Sequence, residues 1–214
     1  MKRTLLNRLG LLGAVGFVSY VSAVIAAPAA YPGYEWMNRA VSDLMAESAP
    51  SRWLYNAVSA PAMPCLTVCA VLCSIEAERR FSRGMRAGIH LYTLMIWLTA
   101  AGYAAFPLGE EWQNTMHIVV TAAVVVLSVL SLAVITAAGL LKQQQRFLGL
   151  SAAVCLLFML TGAVGVNAAE ASLFGLFERF STFSALGFDA VLGFDAVLGL
   201  YLYAGSPKEG MESE

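Results

Sequence analysis

Six apolar stretches, each long enough to cross a bilayer, run almost the whole length of this chain, and its basic residues gather in alternate connections between them. A helix needs about 20 apolar residues to cross a hydrocarbon core of roughly 30 Å. The runs at 9–30, 54–75, 87–106, 114–141, 147–167 and 181–204 meet that length. Hydrophobic residues make up 59% of the chain and charged residues 13%, with a mean hydropathy of +0.70. Soluble domains hold roughly 45–50% apolar and about 25% charged residues, so a bilayer is the solvent to assume. The expected fold class is all-α: a polytopic six-helix transmembrane bundle forming one domain over 1–206, with 207–214 as a flexible cytoplasmic tail.

Lysine and arginine counts orient such a bundle, because basic loops stay on the cytoplasmic side. With the N-terminus inside, the inner side holds Lys2, Arg3, Arg8, Arg79, Arg80, Arg83, Arg86, Lys142, Arg146 and Lys208, and the outer side only Arg39, Arg52 and Arg179. Both termini are expected to be cytoplasmic. A net charge of −1 argues against nucleic acid as a partner, and leaves membrane lipids as the expected surroundings. The start of the chain has a rival reading as a cleaved leader, since Met1–Arg8 is a charged n-region and Ala26, Ala27, Ala29 and Ala30 are small. The apolar run from Leu9 to Ala30 exceeds an h-region of about 7–15 residues, which favours a retained helix.

Cys65, Cys69 and Cys73 recur every four residues on one face of the second span, and Cys155 lies in the fifth. Packing of small residues explains this stripe more simply than a soft metal does, and no disulfide framework is implied. His117 and His90 fall near opposite ends of the bundle, so no metal site of two or three histidines is expected. No phosphate-binding loop or cofactor fingerprint occurs, and no cofactor is expected.

The first outer loop opens with the turn-forming Tyr31-Pro32-Gly33-Tyr34 and carries Trp36, Trp53 and Tyr55 as headgroup-level anchors. Met37, Ala40, Val41, Leu44 and Met45 follow the spacing of an amphipathic helix face, with Asn38, Arg39, Ser42 and Asp43 opposite. That pattern predicts a short amphipathic helix on the outer membrane surface. The second outer connection runs from Phe106 to Gln113 and leads to His117, and the third supplies Asn167, Glu170, Glu178 and Arg179.

The loop Asn38-Arg39-Ala40-Val41-Ser42-Asp43-Leu44, then Ala49-Pro50 and Asn56, Phe106-Pro107 with His117 ten residues on, and Phe177-Glu178-Arg179 carry a resemblance. In these motifs the chain resembles the bacterial membrane proteins grouped as domain of unknown function 998. In that family an acidic residue tends to follow soon after the proline, whereas here Leu108-Gly109 precede Glu110. The resemblance implies six helices and a polar outer cluster, and assigns no activity. A looser similarity, through Ser42-Asp43 after the first helix, extends to the Frag, DRAM and Sfk group.

Ser42, Asp43 and His117 are the candidate catalytic residues, as nucleophile, carboxylate and base for acyl or phosphoryl chemistry at a lipid headgroup. Asn38, Asn56, Glu178 and Arg179 are candidates for binding the ligand. The bland alternatives are a capping Ser42, an Asp43–Arg39 pair and an interfacial Glu178–Arg179 ion pair.

The last span holds a tandem repeat, Gly187-Phe188-Asp189-Ala190-Val191-Leu192 and Gly193-Phe194-Asp195-Ala196-Val197-Leu198. Six residues turn a helix by about 600°, so Asp189 and Asp195 lie roughly 120° apart in projection and about 9 Å apart along the axis. One of them is expected to face the bundle interior, and Asp189, nearer the outer cluster, is the better candidate. Thr161 and Asn167 are its conceivable partners. Three functions stay open: binding or modifying an amphiphile at the outer leaflet, proton-coupled transport through Asp189, or a non-catalytic assembly role.

Overall fold

The computed structural model describes residues 9–142 and 145–205, with side chains as far as Phe194. The expected tail at 207–214 and the side chain of Asp195 lie outside the described residues. The elements are α1 (Leu12–Ala26), α2 (Arg52–Ser59), α3 (Ala62–Arg80), α4 (Arg83–Ala105), α5 (Glu111–Leu140), α6 (Arg146–Ala168) and α7 (Phe174–Gly205). Short 3-10 turns occupy Ala27–Ala30, Ser42–Met45 and Ala171–Leu173. No strand occurs among the described residues, and the fold is an all-α bundle.

From α3 onward, connections of a few residues make successive long helices run antiparallel. Round the bundle, α1 packs on α3, α3 on α4, α4 on α5, α5 on α6, α6 on α7, and α7 closes back on α1 and α3. The bundle thus has a loop end, carrying 27–51, 106–110 and 169–173, and a basic end, carrying the turn at 81–82 and residues 141, 142 and 145. At the basic end Ser82 Oγ accepts the Met85 amide at 3.4 Å and donates to Gln145 Oε1 at 3.2 Å, tying the two segments together.

Among the described residues, four stretches are long and apolar enough to cross a membrane: Leu12–Ala30, Arg52–Arg80, Glu111–Leu140 and Arg146–Ala168. The other two long helices are diluted by polar residues. Arg83, Arg86 and His90 fall in the first turns of α4, and Glu178, Arg179 and Asp189 in α7. The outer surface of the bundle is apolar, with Val18, Ile25, Ile118, Leu157 and Val164 more than 60% exposed, as hydrocarbon surroundings allow and water does not.

Without a hydrophobic drive between helices in lipid, close contact rests on small residues and dispersion. Gly139 of α5 and Gly149 of α6 meet backbone to backbone: a Cβ on Gly139 would lie 2.5 Å from the Gly149 Cα. Gly13 brings α1 equally close to α7, since its Cβ would lie 2.5 Å from the Asp189 carbonyl oxygen and 2.9 Å from Cys69 Sγ. Cys69 and Cys73 are buried with their sulfurs 3.9 Å apart, and all four cysteines are free thiols.

The second expected span, 54–75, is interrupted at its start. Pro61 has no N–H to continue the ladder, so α2 ends at Ser59 and α3 begins at Ala62. Ser19 Oγ donates to the freed Val58 carbonyl at 2.7 Å. The resulting α2 is a short amphipathic helix, with Trp53 67% exposed on one side and Tyr55 6% exposed on the other.

The amphipathic helix expected over 37–45 contracts to the single turn Ser42–Met45. Its apolar face survives in part, since Val41 and Leu44 are buried while Met37 is exposed. The backbone groups that would have closed further helical turns bind α7 instead: the Trp36, Met37 and Arg39 carbonyls and the Val41 amide all do so.

Candidate functional site

The loop-end polar residues are built on the first turns of α7. Its Leu176 amide, one of the N-terminal donors a helix cannot satisfy internally, donates to the Met37 carbonyl at 3.0 Å. Gly175 lets the loop lie directly on the helix, because a Cβ there would strike the Trp36 and Arg39 carbonyls. Half-buried Glu178 then accepts the Val41 amide at Oε2, 2.6 Å away.

Arg179 is buried and fully engaged. Nη1 donates to the carbonyls of Trp36 at 2.7 Å, Gly175 at 2.7 Å and Arg39 at 3.2 Å, and Nη2 donates to the Tyr34 hydroxyl at 2.8 Å. The guanidinium also sits 5.1 Å from the centre of the Trp36 ring. Tyr34 passes its own proton to the Ala40 carbonyl at 2.8 Å. Glu178 and Arg179 therefore do not form the interfacial ion pair entertained from sequence; each grips the loop backbone.

Electrostatics at Glu178 are those of a carboxyl drawn out of water. Burial pushes its pKa up to about 7; the Val41 amide, Arg179 and the Ser42 amide pull it down, and Asp43 pushes it up. Tyr34, half-buried beside it, is raised by desolvation against the pull of Arg179. Tyr20, Tyr55 and Tyr103 also lie within electrostatic reach of Glu178.

His117 belongs to a neighbouring set. It is 8% exposed, its Nδ1 is 2.9 Å from the Phe106 carbonyl, and its ring lies 4.8 Å from that of Tyr103. Tyr103 in turn hydrogen-bonds Thr121 at 3.1 Å. Among the described residues His117 makes no hydrogen bond to Ser42, Asp43 or Glu178. Ser42 and Asp43 stand on the 3-10 turn beside Glu178, and their side chains make no hydrogen bond among the described residues. Asn38 donates to Glu35 at 2.6 Å, Arg39 turns to the Tyr31 hydroxyl rather than Asp43, and Asn56 is exposed on α2. Glu110 caps α5 through a reciprocal box with Gln113 and accepts from Trp112. The structure thus brings together Glu178, Arg179, Ser42 and Asp43, sets His117 next to them through Tyr103, and leaves Asn56 apart.

Asp189 lies deep in the bundle. It is 0% exposed, and neither carboxyl oxygen has a hydrogen-bond partner. Cys69 of α3 faces it, donating to its backbone carbonyl at 3.7 Å, and Tyr92 of α4 lies within electrostatic reach. Thr161 and Asn167, its conceivable partners by sequence, are exposed on α6. Tyr92 donates to the Ala185 carbonyl, one turn above Asp189, and stacks edge-on against Phe188. Tyr34, Tyr92, Tyr103 and Gly175 escaped the sequence reading as site residues, since nothing local separates them from packing residues.

An apolar girdle, a rim of exposed Trp36, Trp53 and Trp112 at the loop end, and a polar cluster on the last helix define an integral-membrane helical bundle. The family described as a protein of unknown function (DUF998) matches residues 14–195, and the chain belongs to that family. No curated protein and no solved structure matches it. The looser likeness to the Frag, DRAM and Sfk group is not shown by these comparisons.

Proposed function

We propose that the protein is a small proton-coupled transporter of the cytoplasmic membrane, with all six long helices spanning it, the basic end and both termini inside, and Asp189 as the proton-binding group. One observation carries this reading: a fully buried carboxyl with both oxygens unpartnered. An intramembrane ionisable residue costs at least about 2.5–3.5 kcal/mol to insert. At Asp189 the Cys69 thiol stands near enough to act on the carboxyl, whereas Glu178 and Arg179 are hydrogen-bonded to the loop.

Vesicles of phosphatidylethanolamine and phosphatidylglycerol with a trapped pH dye test it. A potassium gradient with valinomycin drives protons inward, and the wild type is expected to acidify the lumen faster than empty vesicles, while Asp189→Asn falls to background. Equal rates for the two proteins defeat the reading.

A second reading, amphiphile binding near the outer leaflet, draws support from a lipid-facing groove of about 530 Å³ between α1 and the α2–α3 break, lined by Val15, Val18, Ser19, Ser22, Val58 and Pro61. Its test is native mass spectrometry of the purified protein: a retained lipid lost in Val18→Trp supports it, and no retained lipid in the wild type removes it. Chemistry at Ser42, Asp43 and His117 would have to use His117 Nε2, since Nδ1 is held on the Phe106 carbonyl, and no hydrogen bond joins that ring to Ser42 or Asp43 among the described residues.

A further inference from the structure

Glu178 and Asp189 are eleven residues apart on α7, which at 100° per residue brings them to within about 20° of the same face and about 16 Å along the axis. Two positions between them share that face, Thr182 and Ala185. Thr182 Oγ1 is hydrogen-bonded to the Glu178 carbonyl at 2.9 Å. At Ala185 the small side chain leaves the carbonyl to receive the Tyr92 hydroxyl from α4. The face therefore reads carboxyl, hydroxyl, phenol, carboxyl, with successive axial steps of about 4.5–6 Å. Such steps exceed a hydrogen bond and match one bridging water.

The two ends differ as the ends of a path must. Glu178 is half-buried at the loop end and Asp189 is sealed in the core. We infer that Glu178 is the loop-side proton-exchange group for Asp189, and that protons pass between them along this face through Thr182, Tyr92 and intervening water. The inference rests on Asp189 being a proton-binding group, as proposed above.

Each transfer breaks one O–H bond and forms another. A hydronium ion at the loop end protonates the Glu178 carboxylate and is left as water, and the proton moves on as Thr182, Tyr92 or water receives one proton and releases its own. The net result is one proton gained by the Asp189 carboxylate and none by the groups between. The charged and titratable groups facing the upper end are Arg179, Asp43 and the phenols of Tyr20, Tyr34, Tyr55 and Tyr103. Those facing the lower end are Cys69 of α3, Tyr92 of α4 and, beside Tyr92, Cys155 of α6.

Infrared spectroscopy of the whole protein in lipid vesicles tests this without any transported substrate. The protonated-carboxyl band lost in Asp189→Asn identifies Asp189, and its shift after transfer to D2O times its exchange. Glu178→Gln, which keeps an oxygen for the Val41 amide, is expected to slow that exchange on the order of tenfold or more, the scale of a positioned acid–base group. Thr182→Val and Tyr92→Phe are expected to slow it as well. Unchanged or faster exchange in Glu178→Gln, with the band intact, overturns the path. Loss of proton flux in Asp189→Asn alongside indifferent exchange in Glu178→Gln would leave the transport reading standing without this route. Slowed exchange alongside undiminished flux in Asp189→Asn would keep the route and remove transport.

Discussion

Glu178 Oε2 accepts the Val41 backbone amide at 2.6 Å across 137 residues of sequence, joining the last helix to the first loop of the bundle. Its neighbour Arg179 takes carbonyls of the same loop, so one dipeptide satisfies both polarities of a backbone that forms little helix of its own.

The raised pKa of Glu178 sets a pH dependence. An unfolded glutamate titrates at about 4.3, and the folded one at about 7, so between these values the folded state binds more protons than the unfolded. Stability therefore falls as pH rises through that window, by up to about 4 kcal/mol. Melting temperatures of wild type and Glu178→Gln in detergent between pH 4 and pH 8 check this. The wild type is expected to lose more on alkalinisation, and parallel profiles would show that Glu178 does not titrate there.

Arg179→Ala leaves the Trp36 and Arg39 carbonyls without their charged donor, and a loss of about 3 kcal/mol or more is expected. Arg179→Lys restores only part, because an ammonium cannot reproduce the planar fork that spans those carbonyls and Tyr34. Limited trypsin digestion reads the effect directly, since Arg39 and Arg52 border the freed loop. Cleavage should be fastest in the alanine variant and intermediate in the lysine variant.

Asp189→Val removes two unpartnered buried oxygens at nearly constant volume, and is expected to stabilise the bundle by about 1–3 kcal/mol. The same variant should abolish proton flux, the usual signature of a group retained for activity at a cost in stability. Thermal unfolding and the vesicle assay together check it; a destabilised valine variant would indicate that Asp189 has a structural partner.

Gly139→Val places branched carbons where α5 and α6 touch backbone to backbone. Overpacking of this kind costs about 1–3 kcal/mol. The midpoint of unfolding in mixed micelles of dodecyl sulfate should drop.

The apolar runs were legible because a bilayer imposes length and polarity on any segment that crosses it. Thus 147–167 anticipated α6 (Arg146–Ala168) within a residue at each end. α7 (Phe174–Gly205) begins seven residues before the last expected span, 181–204. Glu178 and Arg179, assigned from sequence to the third outer connection, lie in its first turns, where the first loop supplies a partner for the Leu176 amide. The 37–45 segment failed in the opposite sense. Its i, i+3, i+4 pattern is real, but α7 takes the backbone groups a helix would have used.

By itself the sequence determined the apolar surroundings, the all-α class and the 120° divergence of the duplicated aspartates, since these depend on hydrophobicity and on the fixed geometry of an α-helix. Only the tertiary structure decided that Glu178 and Arg179 hold a loop, that His117 turns to Phe106, and that Asp189 is buried without a partner. Each of those depends on which groups from distant segments arrive within about 3 Å, the range in which hydrogen bonds form, and local periodicity carries no record of that.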